Sequence, residues 1–142
     1  MTFKLDNSLG YLLNRTNTRM KNNLLHHLRD YDVTPEQWAV LNRLWEKEVI
    51  SPKELAELTS KDLPTIVRIL SKLEKKGFIT RKINPEDSRA YLIFLTIEGR
   101  ELQGKLTPLA LEALDKATRG LDKKQIEEFK VVLNKMFENL DS

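Results

Sequence analysis

The chain contains no cysteine. Disulfides, thiolate metal centres and cysteine nucleophiles are therefore excluded. Its five glycines stand singly at positions 10, 77, 99, 104 and 120, so no glycine-rich phosphate loop is present. No apolar run approaches the ~20 residues that span a bilayer. The first ten residues lack the basic-then-apolar pattern of a secretory signal, and a cytoplasmic protein is expected. Histidine is confined to the adjacent pair His26 and His27. Neighbours one apart on a helix point to different sides, so the two cannot share one metal. With no nucleophile–base pair and no ligand cluster, neither an enzyme nor a cofactor or metal is expected.

What the chain does hold is charge and helical periodicity. Its 142 residues are 40% hydrophobic and 32% charged, with a net charge of +3. That is the composition of one globular domain. The charge is unevenly placed. Residues 60–96 carry eight basic and four acidic side chains, whereas the flanking stretches nearly cancel. A local positive field of this kind suits a polyanionic partner.

Prolines and caps punctuate the chain. Thr34-Pro35-Glu36-Gln37 offers an N-cap, a proline at the first helical position and a capping-box glutamine. Ser51-Pro52-Lys53-Glu54 follows the same logic, Asp62-Leu63-Pro64 looks like a third start, and Asp122-Lys123-Lys124-Gln125 a fourth. The periodicity predicts helices over about residues 6–30, 35–47, 52–59, 62–76 and 123–140, the first with a polar break between Asn14 and Thr18. A further helix starts at Thr96, and its Gly104 and Pro108 predict a bend or interruption. Between Gly77 and Thr96 the period changes to that of strands. Phe78 to Ile83 and Ala90 to Thr96 are expected to form a two-stranded hairpin with a six-residue tip.

The helix over 62–76 carries the sharpest signal. At ~100° per residue, Lys61, Thr65, Arg68, Lys72, Lys75 and Lys76 share one arc, opposite Leu63, Ile66, Leu70 and Leu73. An α-helix fits the major groove of B-DNA, where an arginine such as Arg68 pairs with guanine and Thr65 meets a base edge or a thymine methyl. Lysines such as Lys72 meet phosphates and release counterions. The plain alternative is a solvated face. Two features favour the groove: residues 51–77 form a helix-turn-helix pattern, and the hairpin follows at once as a wing. Arg89 at its tip is placed for a minor groove, and Asp87 is expected to pair with Arg89 or Arg81 and shape the tip.

Three stretches then resemble the MarR family of bacterial winged-helix transcriptional regulators. They are Glu54-Leu55-Ala56, Leu73-Glu74-Lys75-Lys76-Gly77-Phe78-Ile79, and Asp87-Ser88-Arg89 followed by Leu95-Thr96-Ile97-Glu98-Gly99. The resemblance covers about residues 5–140. It implies a mainly α fold with a small two-stranded β wing (α+β). The winged helix-turn-helix lobe would span 34–99, between helical dimerisation regions over 1–33 and 100–142. It also implies a homodimer on a pseudo-palindromic double-stranded DNA operator, most simply as a repressor. The expected DNA contacts are Pro64, Thr65, Arg68, Lys72, Asp87, Ser88 and Arg89. A small phenolic or aromatic-acid effector would sit between the dimer helices and the lobe, with Trp38 as a wall and Arg15 or Arg19 as carboxylate partner. Family members that sense peroxide through a thiol are excluded as a guide by the lack of cysteine. The chain departs from the family at Leu63 and Pro64, where small polar residues are common.

Two alternatives stand beside these expectations. One is a winged-helix module that binds protein and never DNA. The other is a monomer whose Phe129, Leu133, Met136 and Phe137 pack on the first helix of the same chain, instead of the dimer that two long apolar stripes call for.

Overall fold

The computed structural model describes residues 2–141, apart from the side chain of Ser88. After a single 3-10 turn at Leu5–Asn7, the elements run α1 (Leu9–Leu28), α2 (Pro35–Glu46), β1 (Val49–Ile50), α3 (Pro52–Thr59), α4 (Leu63–Lys75), β2 (Ile79–Asn84), β3 (Asp87–Leu95), α5 (Ile97–Ala117) and α6 (Lys123–Asn139). A second 3-10 turn, Arg29–Tyr31, ends α1. Each expected cap is made. The side chains of Thr34, Ser51, Asp62, Thr96 and Asp122 each accept a backbone N–H three residues on. Thr34 and Asp122 complete capping boxes with Gln37 and Gln125.

The helix α1 runs as expected through the polar stretch Asn14–Thr18, whose residues face solvent, with Thr18 donating to the Asn14 carbonyl at 3.1 Å. Two local expectations need correcting. The helix α5 is continuous through Pro108. A proline in a helix removes one bond and crowds the carbonyl four residues back, which here belongs to Gly104. The sheet has three strands rather than two, in the order β1-β3-β2. Val49 and Ile50 pair with Phe94 and Ile93 and close the edge of the hairpin.

The hairpin tip is also tighter than expected. Asn84 pairs with Asp87 across Pro85-Glu86, and the next pair is Ile83 with Tyr91. Ser88, Arg89 and Ala90 lie between those two pairs on β3 as a bulge, which turns the tip away from the plane of the sheet.

One core unites α2, α3, α4, the sheet and the start of α5. Leu41, Leu44, Leu55, Ile66, Leu70, Leu73, Ile93 and Leu106 are fully buried in it. The last turn of α1 joins it through Leu28. The helix α6 contributes no buried residue.

Candidate nucleic-acid interface

The helix α4 buries Ile66, Ile69, Leu70 and Leu73 and turns the rest outward. Asp62 anchors its start by accepting the Thr65 N–H at 2.8 Å, a bond that holds the aspartate below the usual carboxylate range. Of the expected contact residues, Pro64, Arg68 and Lys72 are exposed and Thr65 is half-buried. The basic arc is smaller than the sequence suggests, because Lys76 is spent inside the protein. Its ammonium donates to the Asp32 carbonyl and to Gln37 Oε1 at 2.9 Å, and pairs with the Asp32 carboxylate at 3.5 Å. This satisfies Gln37, the one buried polar side chain among the described residues, and ties the end of α4 to the start of α2.

Arg68 has a partner that local sequence does not reveal. Its Nη2–H donates to Glu36 Oε2 at 3.0 Å, from the first turn of α2. That bond is the main reason the Glu36 carboxyl sits below its ordinary value, with the charges of Arg68, Lys61 and Lys21 adding to it. One edge of the guanidinium is thus held while its other donors stay available.

The wing is built on two arginines with different tasks. Arg81, in β2, donates to Glu74 at 3.1 Å and to Ser71 at 3.3 Å, both on α4, and lies 5.1 Å over the Tyr91 ring. It fastens the base of the wing to the helix. Arg89 points outward with its side chain 93% exposed. Asp87 does pair with Arg89. Its Oδ1 accepts the Arg89 backbone N–H at 3.0 Å and lies 3.7 Å from Nε. The acid therefore shapes the bulge and orients the arginine. Ser88 lies in β3, but its side chain falls outside the described residues.

The residues expected to hold an effector are not brought together. Trp38 lines a cavity of about 420 Å³ between α1 and α5, with Met20, Lys21, Leu24, Leu111 and Leu114. Arg15 and Arg19 line a neighbouring hollow with Tyr11 and His26. Arg15 stacks on Tyr11 at 5.4 Å. The cation at the Trp38 cavity is Lys21 instead. The Asn23 carbonyl accepts the His27 Nδ1–H at 2.8 Å. Among the described residues no three carboxylate or imidazole groups converge as metal ligands. No described helix is long and apolar enough to cross a membrane.

This geometry has known relatives. The MarR family model matches residues 33–91. An organic hydroperoxide resistance transcriptional regulator of Bacillus subtilis is 31% identical over 139 residues, which cover 98% of this chain and 91% of that protein. The chain belongs to the MarR family. Two solved structures extend the likeness to protein on DNA. A MarR variant from E. coli complexed with operator DNA superposes with a TM-score of 0.85 at 29% identity, over 90% of this chain and 92% of that one. The S. aureus MepR–DNA complex gives a TM-score of 0.85 at 26% identity, over 94% and 98%. As a MarR-family member the chain is a DNA-binding transcriptional regulator. That reading displaces the protein-only module.

The motifs of the MarR resemblance now have physical reasons. Thr96 caps α5 by accepting the Gly99 N–H at 3.0 Å, and its hydroxyl donates to the Gly77 carbonyl at 2.6 Å. Gly77, at φ +84, is the left-handed residue that ends α4 and lets the Phe78 N–H reach back to the Leu73 carbonyl. Gly99 is required by close approach, since a Cβ there would stand 2.0 Å from the Phe78 carbonyl oxygen. The Gly99 carbonyl in turn accepts the Trp45 indole N–H at 2.9 Å. The end of α4 and the start of α5 are thus one joint. This chain has no cysteine, so it has no thiol with which to sense an oxidant.

Proposed function

We propose that the protein is a homodimeric repressor that lays α4 in the major groove of a pseudo-palindromic operator and sets its wing tip against the flanking minor groove. It lets go when a small aromatic acid binds. The observation that carries this reading is the division of α4. Its buried face is used up by the core, and its outer face presents Arg68, Lys72 and Lys75 beside a wing that ends in the exposed Arg89. In this reading Thr65 and Arg68 meet bases, Lys72 meets phosphate, and Pro64 packs against the groove wall. Arg89 enters the minor groove, with Asp87 and Ser88 shaping its approach. Residues 34–99 form the DNA-binding lobe, and 1–33 with 100–142 form the dimerisation region.

Dimerisation is supported by what α6 leaves open. Phe129 is 55% and Phe137 65% exposed while Leu133 and Met136 are half-buried, so the apolar stripe of α6 is only partly covered by its own chain. The effector reading rests on the Trp38 cavity, with Lys21 rather than Arg15 or Arg19 as the nearest cation for a carboxylate. The protein works in the cytoplasm and regulates rather than catalyses.

The deciding experiment is binding to the gene's own upstream DNA across a salt series, with Arg68→Ala and Arg89→Ala beside the wild type. Sequence-selective binding with a steep negative salt slope is expected. Arg68→Ala should lose roughly 1–3 kcal/mol and discrimination at one base pair. Arg89→Ala should weaken binding with fold and dimer intact. Equal, weak binding by all three proteins to every sequence would overturn the reading.

A further inference from the structure

One part of α4 is unexplained by either the core or the cationic face. Leu63 and Val67 are 46% and 37% exposed, and Pro64 between them is exposed as well. Leu63 and Val67 stand four residues apart and so share one face, forming an apolar strip along the first two turns of the helix. Core packing does not account for them, because Ile66, Ile69, Leu70 and Leu73 already fill the buried side to 1% exposure or less. Further along the same face the surface is closed by the wing, where Ser71 and Glu74 are both held by Arg81. The strip is therefore open only at the N-terminal end of α4, the end that a recognition helix directs at base edges.

The occupant is narrowed by charge and by chemistry. At ~100° per residue, Lys75 and Arg68 lie about a quarter-turn around the helix from Val67, so the cationic arc borders the strip on one side, which fits a partner that carries anions beside an apolar spot. Pro64 has no N–H, so at this position the backbone offers no donor to a phosphate or base. On the major-groove edges of the four base pairs, the one apolar group is the thymine C5-methyl. We propose that Leu63 and Val67 read thymine methyl groups, so that each operator half-site carries A·T pairs beneath the first two turns of α4, next to the pair met by Arg68. This inference rests on the DNA-binding reading above and names what part of the sequence is recognised. It also gives the departure at Leu63-Pro64 a purpose: these residues exchange hydrogen-bond readout for methyl readout.

The test uses the full-length protein and an operator selected from a random duplex pool. Each half-site thymine is replaced in turn by deoxyuridine, which lacks only the methyl. One or two positions should each lose about fourfold in affinity, the transfer value of one methyl-sized group. In Val67→Ala one of these positions should become insensitive, and in Leu63→Ala the other. Val67→Thr, which keeps the shape but adds a hydroxyl, should bind the thymine operator more weakly at unchanged thermal stability. Selective binding with no deoxyuridine-sensitive position overturns the methyl reading and leaves the DNA-binding reading standing. Sensitivity that persists unchanged in both alanine variants overturns the assignment to Leu63 and Val67. Failure to select any operator overturns both readings.

Discussion

Glu36 belongs to α2 but acts on α4. Its carboxylate takes one edge of the Arg68 guanidinium at 3.0 Å, on a surface where both side chains remain about half exposed. At such exposure the pair adds little to stability. Its worth lies in orientation, since a guanidinium with one fixed edge loses less freedom when its remaining donors meet a base. A negative charge so close to DNA also penalises loose binding to phosphates. Glu36→Gln should therefore tighten binding to random DNA while narrowing the gap between operator and random duplex by roughly 0.5–1.5 kcal/mol, the net worth of one hydrogen bond. A wider gap in competition titrations would show that Glu36 merely masks Arg68. The pH dependence follows from the lowered carboxyl, which is held down first by the Arg68 hydrogen bond. A depressed acid keeps its pair above its folded titration point and loses it as pH falls through that point. The pair therefore stays intact at neutral pH and opens only in acid, below the ordinary glutamate range. Carboxyl NMR should find the Glu36 midpoint lowered, and Arg68→Ala should move it back toward the ordinary value.

Elements show best which parts of the fold sequence made legible. Helix starts were readable because a cap is local: Thr34, Ser51, Asp62, Thr96 and Asp122 each meet a donor only three residues away. The two-residue strand β1 was not readable, because Val49-Ile50 is too short to show a period and is defined by partners in β3 more than forty residues on. Pro108 misled for the opposite reason. Local cost predicts a break, but Leu106 and Ala113 are buried on either side and hold α5 in one piece. The site shows the same division. The proposed contact residues on α4 and the wing tip can be named from spacing alone, whereas the clasps Glu36–Arg68 and Arg81–Glu74 join different elements and leave no local mark. Nor did spacing reveal that Leu63 and Val67 face outward. The joint between α4 and α5 carries a prediction at this scale. Gly99→Ala places a Cβ 2.0 Å from a backbone oxygen, which no rotamer change can relieve. Urea unfolding should show a loss of roughly 1–3 kcal/mol, the usual range for overpacking. Affinity for DNA should fall as well, because the end of α4 must shift. Wild-type stability in this variant would mean that the joint is looser than its geometry.

At the scale of the whole molecule, α6 decides the assembly. A helix that has no fully buried residue in its own chain, only the half-buried Ile126, Leu133 and Met136, yet exposes Phe129, Val132 and Phe137, with Leu140 beyond its end, needs a partner to cover it. The N-terminal segment has the same problem, since Phe3, Leu5 and Leu9 are all more than half exposed. Two such surfaces at opposite ends of one chain are met by a two-fold pairing, in which each copy brings both. The same axis would set two α4 helices toward successive turns of the major groove, so dimerisation and operator symmetry are one property. Replacing both Phe129 and Phe137 with Glu should convert the dimer to monomers in light scattering, because like charges would face each other across the pairing. Truncation after Gly120 should give monomers or insoluble chain. Either change should make operator binding weak and lower its steep salt dependence, since each monomer neutralises only its own half of the phosphates. Wild-type thermal stability should rise with protein concentration, as it must when only the dimer is folded well, whereas the Glu variant should lose that dependence. A concentration-independent dimer from the truncated chain would place the interface elsewhere, on α1 and α5 alone.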